Sequence, residues 1–364
     1  MSLTVIKLGS SVVVHDDGSL RADGIAALCA TLAGRHRAGE RFVVVSSGAI
    51  ARGVRELGLP ARPTGTDALQ AASAVGQGRL FRQWDDRFAA EGLTAAQVLL
   101  TRYDLGDREA FVNARRTLAK LVELGTVPVI NENDTTTTEE ISFGDNDLLA
   151  AQVAMMLGAD RLVLLTSTDG LFSADPRVDP SATLVREIDD VERALVDNDV
   201  GATTSTLGTG GMRSKALAAD VAASAGIPTV VASGLRPEAL GRVLAGEPEG
   251  TAFAAGPARW SSFKLWLRHA KQARGTIEVD DGARRALQRD ATSLLPVGVV
   301  GVTGDFRAGD AVDVACGGVV VAKGISGYAS GALRLVQGER TERVRELLPQ
   351  APEEAVHRDR LVVL

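Results

Sequence analysis

Apolar and polar positions follow two rhythms along this chain, and each change of rhythm marks an element. Short continuous apolar runs, bounded by small polar residues, predict buried strands at Leu3–Leu8, Arg41–Val45, Thr94–Leu100, Val127–Ile130, Arg161–Thr166 and Ile227–Ala232. Between them apolar residues recur at helical spacing: Ile25, Leu28 and Leu32 within Arg21–Arg37, then Thr66–Ala90, then Phe111, Leu118, Leu121 and Val122. A further apolar helix runs through Leu157, and Met212, Ala216, Ala219 and Ala223 mark one that starts near Gly211. Strands that alternate with helices predict an α/β fold, a mostly parallel sheet sandwiched by helices.

The rhythm changes after Gly246–Gly250 and Gly256-Pro257-Ala258. Beyond it, strand-like runs at Thr276–Val279, Val297–Val302, Ala311–Val314, Val319–Ala322 and Ala332–Val336 are mostly separated by glycines, with one helix over Gly282–Gln288. This predicts a small β-barrel-like domain. The expected division is a first domain over 1–256, a linker over 257–273 and a second domain with its tail over 274–364.

Composition narrows the class. The chain has 364 residues, 45% hydrophobic and 24% charged, the balance of a soluble globular protein with room for two domains. No apolar run reaches the roughly 18 residues that suggest a bilayer span, and no secretory leader is expected. Cys29 and Cys316 lie far apart and read as two buried thiols of a cytoplasmic chain. The histidines are scattered and pair with no cysteine, which disfavours zinc. Net charge is −6, and it is uneven: −8 up to Trp260 and +2 beyond it. An acidic first part and a nearly neutral second part argue against a nucleic-acid partner.

The polar turns gather where predicted strands end. Lys7 is a charge almost inside a core strand, and Gly9 follows it directly; an ammonium there belongs at the carboxyl edge of the sheet, where α/β proteins bind ligands. Ser46-Ser47-Gly48 closes the second strand and opens a helix. Asn131-Glu132-Asn133-Asp134 closes Val127–Ile130, a place that suits a ligand's ammonium or carboxylate, with a helix cap or Asx-turn as the alternative. Thr135–Glu140 reads as a mobile loop. Phe143-Gly144-Asp145-Asn146-Asp147 leads into a helix, with Asp147 preferred for a site. Finally, Ser205–Lys215 carries Gly208, Gly210 and Gly211 into a helix start, where open backbone N–H groups and Lys215 suit phosphate; the spacing is not that of the common P-loop.

Taken together, Val5–Ser10, Ser47–Ala51, Ile130–Asp134, Phe143–Asp147 and Gly208–Lys215 resemble the amino-acid kinase family, in a branch carrying a carboxyl-terminal PUA domain. The resemblance continues through Ser293–Pro296 to His357-Arg358-Asp359. It implies ATP-dependent phosphorylation of the γ-carboxylate of L-glutamate, with Mg²⁺, in the first step of proline synthesis. It further implies Lys7 and Lys215 on the phosphates, with Asp147 orienting both. Ser47, Gly48, Asn131, Asp134 and Asn146 would hold glutamate. Thr166, Ser167, Thr209, Gly210, Gly211, Met212, Arg213, Ser214 and Lys215 would hold the nucleotide. Ser167 stands where relatives often carry an acidic residue, which weakens the adenine-side contacts implied there. No residue is assigned to the metal. Inhibition by L-proline and a homodimer or homotetramer are also implied. Alternatives are family members acting on aspartate, N-acetylglutamate, carbamate or uridylate, and an RNA-binding role for the second domain. Asp134 favours a substrate with a free α-ammonium.

Overall fold

The computed structural model describes residues 2–136, 146–174, 176, 178–189, 211–256, 260–290 and 292–364. Two compact units divide at residue 259. The first holds β1 (Leu3–Leu8), α1 (Ser10–Val13), α2 (Ala22–Arg37), β2 (Arg41–Val45), α3 (Ala49–Glu56) and α4 (Thr66–Ala90). It continues with β3 (Ala95–Leu100), α5 (Arg102–Gly106), α6 (Arg108–Glu123), β4 (Val127–Glu132), α7 (Asn146–Leu157) and β5 (Arg161–Thr166). Then come β6 (Glu187–Ile188), α8 (Met212–Ser224), β7 (Thr229–Ser233), α9 (Ala239–Ala245) and β8 (Thr251–Phe253).

Eight strands form one sheet in the order β3-β4-β2-β1-β5-β7-β8-β6. All neighbours run parallel except β7 with β8. The apolar runs are continuous because central strands are covered on both faces. β1 lies mid-sheet between β2 and β5, with Val5 paired to Val43 on one side and Leu162 on the other. Ile6, Leu8, Phe42, Trp84 and Phe88 are buried in a core cluster with the inner face of α2.

Two glycines set how close α4 comes to α3. A Cβ on Gly53 would lie 1.7 Å from the Ala72 carbonyl oxygen, and one on Gly76 would lie 1.9 Å from that of Ala49. Helices α3 and α4 therefore cross backbone on backbone. Gly48, which opens α3, has φ of 102°, a left-handed conformation that glycine adopts without strain.

The second unit holds α10 (Ser262–His269), β9 (Gly275–Val279), α11 (Asp281–Asp290), β10 (Val299–Gly304), β11 (Ala311–Cys316), β12 (Val319–Ser326), α12 (Ser330–Val336), α13 (Thr341–Leu347) and β13 (Val356–Val363). Its sheet order is β10-β9-β11-β12-β13, antiparallel except for β9 with β11. Three local expectations change. Ala332–Val336 is helical: Leu333 and Val336 are buried three residues apart while Leu335 is 70% exposed, a helical face that a strand cannot make. Within the expected linker, Ser261 caps α10, whose Leu265, Trp266 and Leu267 are buried. Of the two thiols, Cys29 is buried, and burial pushes it up to about 12; Cys316 is only half-buried.

Candidate active site

The carboxyl ends of β1, β2, β4 and β5 face the first turns of α3, α7 and α8, and two polar clusters occupy this edge. In the first, Lys7 is the next-to-last residue of β1 and Lys215 lies in the first turn of α8. The two ammonium groups meet on one carboxylate: Lys7 Nζ is 2.7 Å from Asp147 Oδ1, and Lys215 Nζ is 2.9 Å from Asp147 Oδ2. Ser214 donates its hydroxyl to Asp147 Oδ2 at 2.8 Å. Lys7 and Lys215 are each 4% exposed and Asp147 1%. Burial pushes the Asp147 carboxyl upward, but the two lysines outweigh it and hold the group well below the usual carboxylate range. The triad keeps one surplus positive charge in a desolvated place, where an anion gains most.

Gly211 is the N-cap of α8 and has no side chain of its own to cap it, so the first-turn N–H groups present the orientation that binds phosphate. Met212, Arg213 and Ser214 lie in that turn beside Lys215. Thr209 and Gly210 lie outside the described residues, as do Phe143, Gly144, Asp145 and Thr137–Glu140 of the expected loop. Thr166 closes β5 on the same edge as Lys7, and its carbonyl accepts from Gly234 N at 2.8 Å; Ser167 beyond it is exposed.

The second cluster starts one residue earlier on α7. Asn146 Nδ2 donates to the Ser46 carbonyl at 3.0 Å, Ser47 Oγ at 2.9 Å and Asn131 Oδ1 at 3.0 Å. Its own Oδ1 is buried without a partner among the described residues. A buried acceptor left so costs roughly 1–3 kcal/mol, which a ligand's N–H or ammonium would recover. Asp134 is 6% exposed and accepts from Ser73 Oγ at 2.6 Å. Burial raises the Asp134 carboxyl above its ordinary value; the Ser73 hydrogen bond and the Arg62 charge oppose that without cancelling it.

The structure thus brings Lys7, Asp147, Lys215 and Ser214 together, and separately Ser46, Ser47, Asn131 and Asn146. Adjacent residues on α7 join the two groups. Sequence reasoning missed Arg62, Ser73, Gln77 and Trp84, which support the second group. Ser73 and Gln77 are polar positions four apart on an alanine-rich helix, a signal legible as one polar stripe. Among the described residues no three histidine, cysteine or acidic side chains gather as a metal cage.

Residues 2–233 match the model of the amino acid kinase family, and residues 275–348 match that of the PUA domain. Glutamate 5-kinase from Chromohalobacter salexigens is 46% identical over 99% of this chain and 95% of its own. Glutamate 5-kinase from Paraburkholderia xenovorans is 44% identical over 99% and 97%. Among solved structures, UMP kinase from Bacillus anthracis is similar over 70% of this chain and 97% of that one, at 14% identity and a TM-score of 0.49. The chain belongs to the amino acid kinase family, in its glutamate 5-kinase branch with an appended PUA domain.

Proposed function

We propose that this chain transfers the γ-phosphoryl group of ATP to the γ-carboxylate of L-glutamate, giving γ-glutamyl phosphate and ADP, the first step of proline biosynthesis. The carrying observation is the pair Lys7 and Lys215 on the single carboxylate of Asp147. A carboxylate nucleophile has a reference pKa near 4.3 and is already ionised at neutral pH, so the reaction needs no general base. Its difficulty is bringing an anion to a polyanion.

Lys7, Lys215 and the first turn of α8 fit a triphosphate, with Gly211, Met212, Arg213 and Ser214 beside it and Thr166 and Ser167 toward the base. A bound ATP supplies the phosphoryl group. The two lysines neutralise charge that spreads over it in transfer, and Asp147 keeps them side by side. Mg²⁺ would come in on the phosphate oxygens, and no described residue is assigned to it. Ser47, Gly48, Asn131, Asp134 and Asn146 receive the amino acid. The buried Asn146 Oδ1 and the Asp134 carboxylate suit its α-ammonium, which an acetylated amine would not satisfy. L-Proline as inhibitor, a homodimeric or homotetrameric assembly and a cytoplasmic setting accompany this reading.

ADP release measured with ATP, Mg²⁺ and a panel of acceptors tests it. Turnover with L-glutamate that exceeds turnover with aspartate, N-acetylglutamate and UMP is expected. Preference for any of those three would overturn the assignment.

A further inference from the structure

Two polar side chains of helix α4 reach the second cluster. Ser73 donates to Asp134, and one turn later Gln77 Oε1 accepts from Asn131 Nδ2 at 2.6 Å. Gln77 is half-buried, while Asn131 is 3% exposed. The amides then form a chain: Gln77 Oε1 takes Asn131 Nδ2, Asn131 Oδ1 takes Asn146 Nδ2, and Asn146 Nδ2 also reaches the Ser46 carbonyl.

The direction of this chain follows from chemistry. A backbone carbonyl can only accept, so the nitrogen of Asn146 must face Ser46. Asn131 must then turn its oxygen to Asn146 and its nitrogen away, toward Gln77. If Asn131 turned over, its NH₂ would oppose the Asn146 NH₂ at hydrogen-bond distance. The acceptor at the far end of the chain adds a second restraint, because a turned Asn131 would also set its oxygen against Gln77 Oε1. With its nitrogen turned to the Ser46 carbonyl, Asn146 keeps its Oδ1 as an acceptor with no partner among the described residues.

We propose that Gln77 is a positioning residue for the amino-acid substrate: its carbonyl oxygen fixes the amide of Asn131 and, through it, that of Asn146. The inference rests on the reading of Asn146 as a glutamate-binding residue. Gln77 acts first on the acceptor's site, because its chain of amides ends on Asn146 and the Ser46 carbonyl and reaches Asp147 only through the backbone of α7.

Three variants test this by steady-state kinetics, with melting temperature as the fold control. Q77M removes the acceptor at similar length, Q77E keeps an acceptor, and Q77K presents only donors. The expected result is a glutamate KM raised about tenfold in Q77M and Q77K, with kcat and the KM for ATP within about twofold of wild type. In Q77E the glutamate KM returns to within about threefold. If Q77M fails to fold, the contrast between Q77E and Q77K decides on its own. An unmoved glutamate KM in the acceptor-less variants would overturn the proposal. So would equal impairment of Q77E and Q77K, or a joint rise of both KM values. Wild-type turnover of glutamate in the same assay reports separately on the proposed function.

Discussion

Trp84 donates its indole N–H to Ser46 Oγ at 3.0 Å, from a position with no solvent exposure. The same residue, Ser46, gives its carbonyl to Asn146. A core aromatic, stacked on Phe88, therefore anchors the turn that carries Ser47 and Gly48. Trp84→Phe keeps a ring and removes the donor. We expect a stability loss of about 2–3 kcal/mol, from the lost hydrogen bond and the space left behind, measured by urea unfolding. A severalfold rise in glutamate KM with ATP KM unchanged should accompany it. Unchanged kinetics would restrict the indole to core packing.

Asp147 and its lysines separate activity from stability. Lys215→Ala is expected to lower kcat by two to three orders of magnitude, about 3–4 kcal/mol in the barrier, with the near-UV circular dichroism retained. Asp147→Asn leaves two buried ammonium groups without their counter-charge, which typically costs about 3–5 kcal/mol. It should lose stability as well as turnover. A D147N variant that melts like wild type would show that the carboxylate is not what holds the lysines.

The second unit carries its own pH dependence. Burial, with Arg268 and Lys323 nearby, lowers the His269 imidazole from 6.5 to about 3. The unfolded chain binds this proton below about pH 6.5 and the folded chain does not until about pH 3, so stability falls as pH drops through that window. The limiting slope is about 1.4 kcal/mol per pH unit. Unfolding midpoints of the second unit between pH 7.5 and 4.5 should show it, and His269→Phe should flatten the curve. The same slope in both proteins would assign it to other groups.

Much of the site was legible because its residues stand at element boundaries. Lys7 interrupts an apolar run near its end, Ser47, Asn131 and Asp134 follow such runs, and Asn146, Asp147 and Lys215 lie in the first turns of helices, so charge and amide groups stand out against their neighbours. Ser73 and Gln77 sit mid-helix, and nothing local says that α4 approaches Asp134 and Asn131; the close crossing at Gly53 and Gly76 has no signal in the pattern either. The segment Ala332–Val336 misled because alternation over five residues suits either period, and only burial of Leu333 with Val336 decides. Helix α10 hid in an expected linker because its apolar stripe is a single short turn around Trp266.

The close crossing gives its own test. Gly76→Ala places a methyl against the Ala49 carbonyl, 1.9 Å away before any adjustment, so α4 must withdraw from α3. Overpacking of this kind costs about 1–3 kcal/mol. Ser73 and Gln77 would withdraw with it, so the melting temperature should fall and glutamate KM should rise, with ATP KM much less affected. Equal rises in both would mean that the helix supports the whole edge rather than one pocket.

Asp147 accepts one ammonium on each oxygen, so the gap between Lys7 and Lys215 is set by the width of a carboxyl group. That width is close to the spacing of two oxygens on a phosphoryl group. The chain thus carries an internal gauge for the group it handles, and its calibration depends on one side chain's length. Lengthening the gauge by a methylene, as in Asp147→Glu, would conserve every charge and still misplace both cations.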